Sequence, residues 1–228
     1  MPTLNEIDGV RVIMPQIDRR RFHQIIVVDG GSQDGTIEWC RAHGFDVHEQ
    51  RRPGLRHAYM EMMPRIDGDV IVTMSPDGNC PPGALPALLA RMADGFDLVI
   101  ASRYLTPARS EDDDVLTAFG NWLFTRTVNV LHRAHYTDCM VIFRAFRRSL
   151  VYELGLDQDE AYALPERAFG TVLSWEPLMS VRAAKRAMRI AEIPVGEPKR
   201  IGGTRKLQIF RWAAAYYVQF WRELWYWR

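Results

Sequence analysis

Short apolar runs alternate with amphipathic stretches through the first hundred residues. Residues 24–29 (QIIVVD) are continuously apolar up to an Asp-Gly-Gly-Ser turn, as expected of a strand buried on both faces of a parallel sheet. Residues 36–43 read as a helix stopped by Gly44, residues 45–48 as a second strand and residues 53–63 as a second helix. Residues 69–74 (DVIVTM) repeat the buried-strand pattern, and residues 81–94 form a helix whose prolines stand in the first turn, where a missing N–H costs little. Residues 97–101 (DLVIA) give a fourth strand. Strands and helices alternating at this spacing predict an α/β fold with a mostly parallel sheet flanked by helices.

The pattern changes after Tyr104. Residues 109–114 are polar and acidic, and residues 115–132 predict a long helix. Short strands are expected at 140–145 and 189–195, and Glu176 and Arg182 are expected on a helix, either facing the cleft or joined in a plain helix salt bridge. The last stretch, 207–228, is rich in aromatic residues and predicts a C-terminal helix. The organisation that follows is one domain over 1–206, with halves over about 1–104 and about 105–206, and a terminal helix over 207–228.

Composition narrows the functional classes. A chain of 228 residues with 47% hydrophobic and 25% charged residues can bury a sizeable core and is not of disordered type. A net charge of +1 argues against a general nucleic-acid binder. Cys40, Cys80 and Cys139 are odd in number and lack metal-ligand spacing, so a reducing, cytoplasmic setting is the default. There is no charged n-region followed by an apolar h-region, and no apolar run of the roughly 20 residues a spanning helix needs. The expectation is a soluble chain, or one lying on a membrane surface.

Ligands of open parallel sheets sit beyond the carboxyl ends of the strands, and two acidic segments fall there. The first runs from Val28-Asp29 through Gly30-Gly31-Ser32 to Thr36; its glycines permit a sharp turn, and the Asp29 carboxylate can accept hydrogen bonds from a base or ribose. The same residues also fit a plain strand–turn–helix joint capped by Asp34 or Thr36. The second is Ser75-Pro76-Asp77-Gly78-Asn79, where an Asp and an Asn two apart can present oxygens to a hard cation bridging diphosphate oxygens. Alone, such a sequence is more often simply a turn.

Taken together and in order, these segments resemble the family 2 glycosyltransferases of the GT-A fold. The likeness rests on Pro2-Thr3-Leu4-Asn5-Glu6, VVDGGSQDGT, SPDGNCPP, Pro53-Gly54-Leu55, Ala101-Ser102-Arg103-Tyr104, Phe143-Arg144-Ala145, Glu192-Ile193-Pro194-Val195 and Arg200 with Gly203-Thr204-Arg205-Lys206. The series is most similar to the polyprenyl-phosphate (dolichol-phosphate) sugar synthase branch and extends to about Lys206. The resemblance implies a donor site of Pro2, Leu4, Asn5, Glu6, Asp29, Gly31, Ser32, Gly54, Ser75, Asp77, Arg103, Arg200 and Lys206. It implies a Mg2+ or Mn2+ ion on Asp77 and Asn79, and catalytic roles for Asp77, Arg103 and Asp138. The partners implied are a UDP- or GDP-linked sugar and a lipid-phosphate or hydroxyl acceptor, with inversion at the anomeric carbon.

Two positions depart from the family pattern. Ser75 replaces the first carboxylate of the Asp-x-Asp segment, which predicts weaker metal affinity. Met1 stands directly before Pro2 where the family carries an apolar first strand, which predicts an exposed neighbouring strand edge. Base candidates for a hydroxyl acceptor are Asp138 and the run Glu111-Asp112-Asp113-Asp114, the latter also readable as a solvated loop. The tail aromatics suit a helix in a membrane interface, or one packed on the domain or on a second copy of the chain. A non-catalytic nucleotide-binding module is the rival class. A nucleotidyltransferase is disfavoured because no Gly-rich N-terminal loop with a following Lys is present.

Overall fold

The computed structural model describes residues 1–202 and 209–227. Three parallel strands, β1 (Pro2–Thr3), β2 (Ile26–Asp29) and β3 (Asp46–Glu49), form one sheet in the order β1-β2-β3. Four more, β4 (Val70–Thr73), β5 (Leu98–Ser102), β6 (Arg144–Arg147) and β7 (Ile190–Pro194), form a second in the order β4-β6-β5-β7. Here β6 is antiparallel to both neighbours, while β5 and β7 are parallel. The helices are α1 (Ile7–Ile13), α2 (Thr36–Ala42), α3 (Leu55–Met62), α4 (Leu85–Ala93), α5 (Val115–His132), α6 (Leu150–Glu153), α7 (Glu160–Phe169), α8 (Trp175–Lys185) and α9 (Ile209–Arg222). Every residue of β5 is buried, as its unbroken apolar run requires.

The strand expected at 140–145 lies further along, at Arg144–Arg147. The reason is the buried Arg144, whose guanidinium donates hydrogen bonds to the carbonyls of Val141 and Cys139. Those carbonyls are thereby drawn into a turn instead of a ladder. Helix α1 has no counterpart in the sequence reading, because IDGVRVI joins a glycine to β-branched residues of weak helix propensity. Packing decides it: a Cβ on Gly9 would stand 2.3 Å from the Pro76 carbonyl oxygen, so only glycine lets α1 rest on the turn that carries Asp77.

The division of the sheet has a local cause. β1 supplies two residues and pairs with β2, and β4 pairs with β6, so β2 and β4 face each other across a gap. The gap is an apolar cavity of about 280 Å³ lined by Met1, Ile26, Val28, Tyr59, Val72 and Trp175, among others. The Met1 ammonium donates to the Ile26 carbonyl at 2.8 Å, and burial pushes its pKa down to about 5. The strand edges beside β1 border this slot, and Val70 of β4 remains exposed at its mouth.

Glu176 and Arg182, for which facing the cleft is one of two expectations, are in the core. Arg182 forms a two-pronged ion pair with Glu223, at 2.8 and 3.0 Å, tying α8 to the segment after α9. Of the two readings of the tail, packing on the domain accounts for the inner face of α9: Ala215, Tyr216 and Phe220 are buried, and Phe220 meets Phe124 of α5 edge-on. Glu176 has no cationic partner at ion-pair distance among the described residues, and burial pushes its carboxyl up to about 7, with Arg144 pulling the other way. Its folded pKa lies above its ordinary 4.5, so its contribution is favourable below that value and is lost as pH rises toward 7. Glu176→Gln is therefore expected to flatten the pH dependence of the melting temperature between those values. The expected gain over wild type is on the order of 1–3 kcal/mol at pH 8 with little difference near pH 4, read by thermal unfolding across pH.

Candidate active site

The loop after β2 is built around Asp29. Its carboxylate, fully buried, accepts from Gly31 N at 2.8 Å and Ser32 N at 2.6 Å on one oxygen, and from Thr3 Oγ1 at 2.7 Å and Ser32 Oγ at 2.6 Å on the other. Four donors fill the acceptor sites of one carboxylate. Asp29 thus shapes the loop from beneath, and Gly31 adopts a φ of +96° that favours glycine. The Pro-x-x-Asn-Glu segment lies alongside: Asn5 N donates to Ser32 Oγ at 2.7 Å, Asn5 Oδ1 accepts from Gln33 N at 2.8 Å, and Glu6 N donates to Thr36 Oγ1 at 3.0 Å. Pro2 and Leu4 flank these contacts on β1 and the turn that follows, both partly exposed. Gly54 precedes α3 on another wall, where a Cβ would stand 2.6 Å from Val172 Cγ1.

The turn after β4 carries the second set. Asp77 Oδ2 lies 3.0 Å from Arg200 Nη1, and Asn79 Oδ1 accepts from Arg200 Nη2 at 3.1 Å. Two oxygens from side chains two residues apart therefore converge on one cationic group. The turn is pinned behind: Asp77 Oδ1 accepts from Asn79 N, and the Asp77 carbonyl accepts from Ile201 N at 2.7 Å. Gly78, with φ of +98°, leaves no room for a side chain against Ile201. Arg200 also approaches Glu6 at 3.8 Å and donates its backbone N–H to Asp112 at 3.1 Å, while its Nε is buried without a partner among the described residues. Arg200 thus joins the β1 loop to the β4 turn. Ser75 is partly exposed at the start of the turn, and Lys206 lies outside the described residues.

Beyond β5, Arg103 grips Asp138 with two prongs, Nε to Oδ2 at 2.7 Å and Nη2 to Oδ1 at 3.1 Å. The same guanidinium lies 3.4 Å from Glu197 and 3.5 Å from Asp113, and reaches Asn121 Oδ1 on α5 at 3.3 Å. Burial works against its charge, but Asp138 and Glu197 outweigh this and hold it firmly protonated. Asp138 is fully buried, and its backbone N–H donates to Glu192 at 3.0 Å. Glu197 is pushed above the usual carboxylate range by burial, opposed by Arg103.

The acidic run is not a solvated loop throughout. Asp113 bonds the Tyr104 hydroxyl and approaches Arg103, Asp112 holds Arg200, and Asp114 caps α5 by accepting from Thr117 N at 2.7 Å. Asn121 and Glu197 are site residues that sequence reading did not identify. Neither belongs to a motif; they are brought in by the packing of α5 and by the β-bridge between Ser110 and Glu197. Among the described residues no group of three or more His, Cys, Asp or Glu converges as a metal cluster. A divalent ion would have Asp77 and Asn79 from the protein, with diphosphate and water completing its shell. Hard oxygen donors and few protein ligands suit Mg2+ or Mn2+, and the guanidinium that already sits on these two oxygens indicates that the pair accommodates positive charge.

The family model described as glycosyl transferase family 2 matches residues 1–155. A dolichyl-phosphate hexose transferase of Haloferax volcanii is 33% identical over 217 residues, covering 94% of this chain and 88% of the relative. An undecaprenyl-phosphate mannosyltransferase of Micrococcus luteus is 26% identical over 235 residues, covering 94% and 93%. Among solved structures, glucosyl-3-phosphoglycerate synthase from Mycobacterium tuberculosis, in complex with Mn2+ and UDP-glucose, superposes with a TM-score of 0.64 at 19% identity, over 98% of this chain and 76% of that one. At that identity the likeness establishes the GT-A fold.

Proposed function

Because the chain belongs to glycosyl transferase family 2, we propose that it transfers a hexose from a UDP- or GDP-linked sugar to a polyprenyl phosphate, with Mg2+ or Mn2+. That it is a glycosyltransferase using a nucleotide sugar follows from the family and from relatives named for this chemistry. The acceptor class is supported by the Haloferax and Micrococcus relatives, whose names specify dolichyl and undecaprenyl phosphate. The observation that carries the site reading is the convergence of Asp77 and Asn79 on one cation at the end of β4.

In this reading Pro2, Leu4, Asn5, Glu6, Gly31, Ser32 and Gly54 surround the nucleoside, and Asp29 maintains the loop that receives it. Asp77 and Asn79 would hold the ion, which when bound would supply positive charge beside the diphosphate; Ser75 would contribute a neutral hydroxyl. Arg200, released from Asp77 and Asn79, turns its guanidinium to phosphate oxygens, and Lys206 is assigned to the same anionic region. Arg103 offers N–H groups to the departing diphosphate or to the acceptor phosphate. A phosphate acceptor is already ionised and attacks the anomeric carbon with inversion, without a base. Asp138, clamped to Arg103, then acts as a positioning residue.

Ser75 in place of a carboxylate favours the rival reading, a module that binds nucleotide sugar without transferring it. A panel of UDP- and GDP-linked hexoses with a polyprenyl phosphate and Mn2+ separates the two. Expected is a polyprenyl-phosphate sugar from one donor, with its rate falling about a hundredfold on chelation of the metal. Calorimetric nucleotide binding with neither hydrolysis nor transfer for any donor would establish the module instead.

A further inference from the structure

Arg200 sits on the two oxygens assigned to the ion. Its Nη1 lies 3.0 Å from Asp77 Oδ2, and its Nη2 donates to Asn79 Oδ1 at 3.1 Å. One planar fork thus engages both side chains, and a cation at hydrogen-bond distance repels a second cation on the same oxygens. The seat is built by the backbone that carries Arg200. Pro198 O accepts from Asn79 Nδ2 at 2.8 Å, Ile201 N donates to the Asp77 carbonyl at 2.7 Å, and Arg200 N donates to Asp112 Oδ1 at 3.1 Å. At the far end Gly202, with φ of +69°, runs so close to α1 that a Cβ would stand 2.9 Å from Asp8 Oδ2. Residues 198–202 are therefore a strap laid across the β4 turn and fastened through its own main chain, with the Arg200 guanidinium turned in onto the ion's ligands.

We propose that Arg200 is an intramolecular gate on the ion site: while seated it excludes the divalent ion, and a nucleoside diphosphate admits the ion by drawing the guanidinium onto its own phosphate oxygens. The proposal rests on the ion reading given above and deepens it by stating what governs entry. Three observations separate a gate from a plain structural ion pair. The first is charge. Ser75 is neutral, so Asp77 is the one carboxylate on the 75–79 turn, and a single guanidinium balances it. An ion added beside the seated Arg200 leaves positive charge in excess, whereas a diphosphate brings anionic oxygens enough for both cations. The second is attachment. Arg103 grips Asp138 with two prongs and reaches Glu197, Asp113 and Asn121 as well. Arg200 is held by fewer close contacts, with Glu6 at 3.8 Å and an Nε that has no partner among the described residues. The third is the fastening of the strap. Because main-chain groups hold it, the guanidinium can leave while the turn keeps its shape, and the bond from Asn79 Nδ2 to Pro198 keeps Asn79 Oδ1 in place. Ion and nucleotide would then favour each other's binding beyond the direct bonds between them, and linkage makes that effect reciprocal.

The test is calorimetric titration of the full chain with MnCl2 alone, and with UDP or GDP in the presence of Mn2+. Arg200→Ala is expected to bind Mn2+ alone about tenfold more tightly than wild type, as when a blocking group is seated about 90% of the time. Its affinity for nucleotide in the presence of Mn2+ should fall, because a phosphate contact is lost. Opposite shifts for the two ligands are the mark of a gate; a general loosening of the turn would weaken both. Arg200→Lys keeps the charge but cannot span Asp77 and Asn79 together, so its Mn2+ affinity should lie between the two. Thermal unfolding checks each variant, and Arg200→Lys carries the comparison should Arg200→Ala fail to fold. Adding Asp77→Asn to Arg200→Ala should abolish the gain; a gain that survives would place the ion elsewhere and overturn the proposal. Unchanged or weaker Mn2+ binding in the folded variants, with Mn2+ still strengthening nucleotide binding by wild type, would overturn the gate and leave the ion site standing. Absence of any Mn2+ effect, alone or with either nucleotide, would overturn both.

Discussion

Asp77→Asn is expected to reduce sugar transfer by about 10²–10³-fold and to abolish the Mn2+ dependence of nucleotide binding. The substitution keeps the shape of the side chain and an oxygen able to accept from Asn79 N, so the turn that Ile201 and Gly78 brace should survive. What it removes is the formal negative charge that faces Arg200 at 3.0 Å. With Asn79 as the only other assigned protein ligand, and Ser75 neutral, the protein would offer the ion no anionic oxygen. Calorimetry of UDP and GDP with and without Mn2+, alongside thermal unfolding, checks this. Retained metal-stimulated binding in a folded variant would remove Asp77 from the ion site. Nucleotide binding already independent of metal in wild type would remove the ion from the proposal altogether.

Arg103→Ala is expected to be the most destabilising change at the site, about 3–5 kcal/mol at pH 8. The guanidinium is the shared partner of Asp138, Glu197 and Asp113, and all three carboxylates are sequestered from water. Without it Glu197, which burial already pushes above the usual carboxylate range, would rise further, because Arg103 no longer opposes that burial. Raised carboxyl pKa values give stability that is present at low pH and lost as pH rises, so the deficit should shrink as pH falls toward 5. Thermal unfolding of wild type and variant across pH reads this slope, and a deficit independent of pH would contradict it. Arg103→Lys keeps the charge but not the two-pronged grip on Asp138, so it should recover much of the stability while leaving transfer impaired. Full recovery of transfer by lysine would assign Arg103 a structural role alone.

The legible part of this molecule was what local pattern and turn chemistry control. β2, β4 and β5 were visible because strands buried on both faces are continuously apolar, and their ends differ from expectation by one or two residues. α5 was placed at its observed bounds because Asp114 marks its start. The segments containing Asp29 and Asp77 stood out because Gly-rich turns at strand ends carry a distinctive composition. α7 went unassigned: it contains Pro165, which ordinarily argues against a helix, yet it is stabilised by packing on α9. Helix α1 likewise depends on Gly9 meeting the Pro76 turn, a contact between segments 67 residues apart in sequence, Gly9 and Pro76.

Sequence by itself determined the alternation of strands and helices from β2 to β5, the family and the two turns that bear the chemistry, because each is encoded within a few neighbouring residues. Tertiary structure decided what those residues do with their hydrogen bonds: Asp29 turned inward to four donors, Arg200 spanning Glu6, Asp77 and Asn79, and Arg103 surrounded by Asp138, Glu197, Asp113 and Asn121. It also decided that the outward apolar face belongs to α5, while α9 buries much of its aromatic surface. The physical reason is common to all of these. Periodicity states that a side chain is apolar or charged, but which surface it meets depends on partners distant in the chain, and only folding brings them into contact.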